Sequence, residues 1–298
     1  MNDCTLRGQC CRWAENIIVI HLPRFINRME IKYLSKDGEK ISKTCDLEFG
    51  KEALALTHKN NLLKNNAAFN RYGFGQFRLT DLKTFSALEK IITEQVVKRL
   101  SLYQEVPENF ELSKYHQFLW RAENHFKVST WALDYEILGS SFFDIKKQVE
   151  ELLRVKLKIT RIEHKGAEGE YVGFRILRPK QGDHNPFHRD SWIPYWRNTV
   201  NVWLPVCGFE KGNGLQLIPK SHLWNDSEIL KTKGGAEIDG KKYSVPAAIG
   251  TIHKFTVLKP VMKKGEGLVF SPYLIHGNGL NQKHDITRVS LEFRFCKA

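Results

Sequence analysis

Two histidines and one aspartate have the types and order that a mononuclear iron site needs. The only His-x-Asp of the chain is His188-Arg189-Asp190, and His276 follows downstream with Arg288 twelve residues beyond it. Two imidazoles and one carboxylate on one face of Fe(II) leave three coordination positions open for a co-substrate and O2. A cationic residue nearby can anchor the far carboxylate of 2-oxoglutarate, and arginine suits that task because its planar fork matches a carboxylate. If these four residues converge, the chain oxidises unactivated C–H bonds.

Convergence depends on the elements that carry them. In an extended chain residues i and i+2 share a face, so His188 and Asp190 can point at one metal. Gly182 and Pro186 make their segment a loop or strand edge. His276 ends the apolar run Leu268–Ile275, which brings it into the core, and Gly277 and Gly279 then turn the chain toward a last strand opened by Arg288.

The elements around these residues are mostly short strands. Alternation or β-branched runs mark Lys156–Ile162, Tyr171–Leu177, Thr199–Val206, Leu215–Ile218, Leu268–Phe270 and Val289–Phe295, separated by Gly and Pro turns. That pattern predicts a sandwich or barrel. Earlier in the chain, apolar residues recur at helical spacing over Asp81–Leu100. A second helix is predicted over Phe143–Leu153, with Ser141 and Asp144 placed as a capping box. Residues 17–20 and 29–34 read as strands with a Lys36-Asp37-Gly38 turn, and the Asn-rich stretch 58–70 reads as a loop. With no repeat and no separating linker, a single domain over 1–298 is expected. About 1–155 would be a mixed flanking part and about 156–298 a β core carrying the site, with helices packed outside.

Composition narrows the classes of function. A chain of 298 residues can bury a sizeable core, and 27% charged residues is ordinary for a globular protein. No stretch approaches the ~20 apolar residues of a spanning helix, and Ile17–Ile20 is too short for a signal-peptide core. None of the six cysteines forms a Cys-x-x-Cys pair, so a structural zinc site is not indicated. Cys4, Cys10 and Cys11 cluster at the start without a readable role. With no readable export signal and no disulfide-type cysteine pattern, a cytoplasmic protein is expected. The net charge of +13 steers anionic partners toward the protein. No block of five like charges appears, so a dedicated nucleic-acid arm is not expected, and the lack of a spanning stretch leads to the expectation of no membrane partner.

Several stretches carry a family resemblance. They are Phe187-His188-Arg189-Asp190, Val202-Trp203-Leu204-Pro205-Val206, and Gly212 through Pro219 with Lys220-Ser221-His222. Further on come Gly267-Leu268-Val269-Phe270, Ile275-His276-Gly277-Asn278-Gly279 and Arg288 through Phe295. From about residue 170 onward the chain resembles the phytanoyl-CoA dioxygenase family of Fe(II)/2-oxoglutarate oxygenases. The resemblance implies a mixed α/β fold with a mainly-β core, a double-stranded β-helix of the cupin-like jelly-roll type, flanked by helices. It implies that His188, Asp190 and His276 bind iron, that Arg288 pairs with the C5 carboxylate of 2-oxoglutarate, and that Ser290 adds a hydrogen bond. Lys220 departs from the pattern, since glycine usually stands there.

The carboxylate of Asp190 also bears on reaction type. Halogenating relatives lack it, so hydroxylation or a related two-electron C–H oxidation is expected here, with release of succinate and CO2. Substrate recognition falls to the basic and aromatic neighbourhood of the motif. Arg175, Arg189, Trp192 and Arg197 are the candidate contacts, with Arg178, Lys180, Tyr195 and Trp196 nearby. Guanidinium groups and aromatic faces suit a small anionic metabolite such as a phosphorylated or nucleotide-linked sugar, a phosphonate or a CoA thioester. Two alternatives remain open at this point. The Arg288 to Arg294 spacing resembles that of AlkB-like nucleic-acid demethylases, and a jelly roll can also be a binding module without catalysis. His222 is read as shaping its loop, and His184 as a polar loop residue within reach of a substrate.

Overall fold

The computed structural model describes residues 61–118, 122–129, 132–164, 167–181, 183, 185–209, 213–238 and 241–298, with 29–30, 34–35, 38–39, 46–50 and 56. The readings made for residues 17–20, Cys4, Cys10, Cys11 and His184 lie outside the described residues.

A large antiparallel sheet dominates the fold. Its strands run in the order Phe74–Arg78, Glu266–Phe270, Thr199–Cys207, Arg288–Lys297, Ala167–Leu177 and Ala132–Asp134. Leu157–Ile159 and Arg161–His164 pair at its margin. A second layer contains the antiparallel strands Met29–Glu30, Ala248–Thr251, Ile229–Thr232 and Leu47–Phe49, and the pair Leu215–Leu217 with His276–Asn278. Trp203, Leu268 and Phe270 of the large sheet pack against Leu215 and Leu217 of the second layer. Two sheets closed face to face make the cupin-like jelly roll. Four of these strands come from the first half of the chain, so both sheets draw on it.

Strand alternation separates two environments. Val200, Val202, Leu204 and Val206 share one face of the central strand with Val289, Leu291, Phe293 and Phe295 of the last strand, and all are buried against the helices. The opposite faces carry Asn201 and Trp203, and Arg288, Ser290, Glu292 and Arg294. Asn201 stands opposite Arg294, Trp203 opposite Glu292, and Pro205 opposite Ser290. The apolar side therefore anchors the sheet while the inner side is left for polar work.

The helix Leu82–Leu100 follows its predicted span. Asp81 caps it by accepting from the Thr84 amide at 2.7 Å, and Phe85, Leu88, Ile92, Val96 and Leu100 are buried along one face. Each such burial contributes roughly 1.5–3 kcal/mol, an upper bound because unfolded chains are partly compact. The second helix spans Ser140–Leu153, starting earlier than predicted and without a side-chain cap. The capping box does not form, because Asp144 accepts instead from the Thr80 amide at 3.0 Å and from the Thr80 hydroxyl. Gly139, at φ +52°, makes the entry turn. The predicted loop 58–70 also needs correction at its end. Asn66 accepts from Ala68 N and Phe69 N, and the buried Phe69 ring holds the helix Ala67–Tyr72 in place.

Lys220 occupies the glycine position of the family pattern in the left-handed conformation that glycine would favour, φ +69° and ψ −8°. Its amide donates to Tyr72 O at 3.1 Å, which helps to hold the loop in this shape.

Candidate metal centre

His188 and His276 meet as a β-bridge. Each amide donates to the other's carbonyl, at 2.9 and 3.0 Å. The two Nδ1 atoms are also occupied, donating to Pro186 O at 2.7 Å and Leu274 O at 2.9 Å. That arrangement leaves the Nε2 lone pairs facing inward. Asp190 Oδ1 lies 3.1 Å from His188 Nε2 and 3.7 Å from His276 Nε2. The three ligand atoms fall within 4.8 Å of one another. Oδ1 has no hydrogen-bond donor although Asp190 is fully buried. Three lone pairs that converge with no proton among them repel unless a cation sits between them, and the N2O donor set suits Fe(II). The site fits the metal.

Electrostatics agree with ionised aspartate and neutral imidazole. Burial opposes ionisation of Asp190, but the Arg294 cation outweighs it and holds the carboxyl well below its usual range. Burial first, then the neighbouring His188, pushes His276 down to about 4. A neutral imidazole is what metal ligation requires.

The inner row of the last strand supplies the rest of the site. Arg288 is completely buried, and burial pushes its guanidinium down to about 10. Nη1 donates to Asn213 O and Gly214 O at 2.7 and 3.1 Å, and Nη2 makes longer contacts with Asn278 Oδ1 and Gly279 O at 3.4 and 3.3 Å. Its Nε and the hydroxyl of Ser290 are buried with no partner. The open two-pronged fork expected from the sequence is therefore partly engaged. Nε–H is free, and the long Nη2 contacts are the ones a carboxylate can displace. Arg288 adjoins the pocket through Asn278, which lines it.

That pocket is small and lies between the triad and the inner face of the large sheet. The triad forms one wall; Arg175, Asn201, Trp203, Glu292 and Arg294 come from the large sheet, and Asn185 from the segment before His188. The side-chain amide of Asn201 and the indole N–H of Trp203 are buried without partners and belong to this wall.

Of the candidate substrate contacts, only Arg175 lines the pocket; its Nε donates to Glu292 Oε1 at 3.3 Å. Arg189 does not. Alternation turns it away from Asp190 into the protein, where its guanidinium donates to Ser221 O and Trp224 O and lies 3.6 Å from Asp226 Oδ1. Trp192 donates to the same Asp226 carboxylate and carries Lys231 over its ring at 5.4 Å. Arg197 Nε is bound to Ser191 O at 3.1 Å. These three residues brace the loops around the motif. Arg178 is likewise engaged, in a two-pronged pair with Asp183 at 3.0 Å for both contacts. His222 shapes its loop as expected, with Nε2 donating to Asn70 O at 2.9 Å.

Sequence reasoning missed Asn201, Trp203 and Glu292, and it named Arg294 only for its spacing from Arg288. Arg294 in fact binds Asp190 Oδ2. The available signal was the alternation of Arg288, Ser290, Glu292 and Arg294 with Val289, Leu291, Phe293 and Phe295. Polar residues on the inner face of a strand with an apolar outer face mark a buried polar row.

A family model described as phytanoyl-CoA dioxygenase matches residues 20–289. No curated protein matches the chain. Among solved structures, the non-heme monooxygenase ThoJ in its apo form is 15% identical, with 80% of this chain and 77% of that chain covered and a TM-score of 0.48. EctD from S. alaskensis in its apoform is 13% identical, with coverage of 90% and 88% and a TM-score of 0.47. The epimerase SnoN in complex with Fe3+, alpha ketoglutarate and nogalamycin RO is 15% identical, with coverage of 79% and 84% and a TM-score of 0.44.

Proposed function

The chain belongs to the phytanoyl-CoA dioxygenase family, and from that premise we propose that it hydroxylates a C–H bond of a small, anionic metabolite. As a non-heme Fe(II)- and 2-oxoglutarate-dependent dioxygenase it uses O2 and a small-molecule substrate. In our reading His188, Asp190 and His276 hold the iron, Arg288 receives the far carboxylate of 2-oxoglutarate, and Ser290 adds a hydrogen bond. Bound iron(II) supplies the activation of O2, coupled to conversion of 2-oxoglutarate into succinate and CO2, and one oxygen atom is inserted into the substrate. The observation that carries the assignment is the convergence of two Nε2 atoms and Asp190 Oδ1 within 4.8 Å. Beside it lies Arg288, a buried cation with no carboxylate partner among the described residues.

The protein's own groups perform the positioning. The paired backbone of His188 and His276 fixes both rings, and the Nδ1 bonds fix their tautomers. Phe270, Leu215 and Trp203 bound the cavity with apolar surface, which limits water around the reacting groups. The intact Asp190 ligand favours hydroxylation over halogenation.

Arg175 supports the anionic substrate class. It reaches the pocket with 31% of its side chain exposed, and only its Nε is engaged with Glu292. Its Nη groups can meet a phosphate or carboxylate. The net charge of +13 adds long-range steering. Free Cys207 and Cys296 agree with a cytoplasmic setting, which is part of the same proposal.

The test is succinate release from Fe(II)-loaded protein screened across anionic and neutral metabolites. An anionic substrate should raise succinate release above the uncoupled rate, and added salt should raise its KM with little change in kcat. Turnover of a neutral substrate without salt dependence would remove the anionic class. No 2-oxoglutarate turnover under any condition would remove the catalytic reading.

A further inference from the structure

Asp190 offers one oxygen to the metal pocket because the other is already held. Arg294 donates to Oδ2 from Nε at 3.0 Å and from Nη2 at 2.8 Å, while Oδ1 has no donor and faces both Nε2 atoms. The guanidinium is itself fixed. Its Cζ stacks 3.8 Å from the centroid of the Trp196 ring, and its backbone is paired with Asn201 in the large sheet. The carboxylate is fully buried.

We propose that Arg294 is a positioning residue that restricts Asp190 to single-oxygen coordination and so keeps one coordination position open for co-substrate. The inference rests on the proposed triad. A carboxylate can bind a metal through one oxygen or both, and only the first mode leaves a two-histidine, one-carboxylate site with three open positions. Swinging Oδ2 toward the metal requires Asp190 to abandon two charge-assisted hydrogen bonds inside the protein. Trp196 and the sheet prevent the guanidinium from following. Arg294 therefore acts through Asp190.

The experiment counts water ligands on Mn(II), added alone to the full-length protein, by the broadening of its resonance in ¹⁷O-labelled water. Wild type should carry three waters, the number set by three protein donor atoms on a six-coordinate ion. Arg294→Met and Arg294→Gln should each lose one, as Oδ2 joins the metal. The Gln head is too short to span the contact yet tolerates a polar site, which covers the case in which the Met variant does not fold. Arg294→Lys should retain all three by keeping a cation on Oδ2, an outcome that mere filling of space does not produce. A folded Met or Gln variant with three waters overturns the proposal, and so does a Lys variant that behaves like Met. His276→Ala separates this result from failure of the triad. If that variant binds Mn(II) as tightly as wild type with the same water count, the triad assignment is what falls.

Discussion

His188 and His276 exchange both of their backbone hydrogen bonds, at 2.9 and 3.0 Å, although they lie in distant parts of the chain. Their ring centroids are 4.5 Å apart. The metal pocket is thus built on a backbone ladder, and errors in that ladder reach the ligands directly.

Gly277 tests the relationship. A Cβ there would lie 3.1 Å from Pro186 C and O and from Phe187 N, all backbone atoms of the segment leading into His188. Gly277→Ala should push that segment away, lowering Mn(II) affinity about tenfold, in line with other losses of ligand orientation. Stability should fall by roughly 1–3 kcal/mol from overpacking. Isothermal titration and thermal denaturation measure the two effects. Unchanged metal affinity would mean that the ladder does not set the ligand geometry.

Arg288→Ala should raise the KM for 2-oxoglutarate by about two orders of magnitude, equivalent to ~3 kcal/mol for truncating one side of a buried charge pair. Metal affinity should change little, since Arg288 is not a ligand. Arg288→Lys should recover part of the loss, because a point charge cannot reproduce the fork. Steady-state kinetics with 2-oxoglutarate varied will show whether the anchor is correctly assigned.

Arg189→Ala should act on stability. The substitution leaves Asp226 without its cation and removes the donors to Ser221 O and Trp224 O inside the protein. Breaking a buried pair costs about 3–5 kcal/mol. Chemical denaturation should show that loss while KM for the substrate stays near wild type. A raised KM with unchanged stability would return Arg189 to substrate recognition.

His222 should make stability depend on pH below neutrality. Burial first, then the nearby Arg189 cation, lowers it to about 4 from 6.5, while its bond to Asn70 O works against the shift. Between those values the unfolded state binds the proton and the native state does not. The contribution is therefore fully present above about pH 6.5 and is lost as pH falls through about 4, roughly 3 kcal/mol in all. His222→Gln keeps a donor for Asn70 O without titrating, so its stability should change less between pH 7 and 4 than that of wild type. Parallel pH profiles for the two proteins would rule His222 out as the source.

The central strands could be read from residue order, because a sheet with one apolar face imposes period-two alternation on Thr199–Cys207 and Arg288–Lys297, whereas Phe74–Arg78, Ala132–Asp134, Ile229–Thr232 and Ala248–Thr251 were not read as strands. The ligand types of the triad were also legible, since iron chemistry restricts which side chains can serve. Orientation was not. Arg189 and Asp190 are neighbours, and Arg189 became a candidate for the pocket through its basic, aromatic stretch while Asp190 was named by the His-x-Asp motif. The turn Asp190–Trp192 and the carboxylate of Asp226, far along the chain, place them on opposite sides. Likewise Asp144 suits a local helix cap by spacing, yet Thr80 is the partner that tertiary packing brings to it. Arg294 is the sharpest case. Its place on the inner face follows from alternation, but its hold on Asp190 exists only because the sheet brings the last strand beneath the metal loop. Hydrogen bonds and ion pairs act over a few ångströms, so a long-range partner is decided when the chain closes into its two layers.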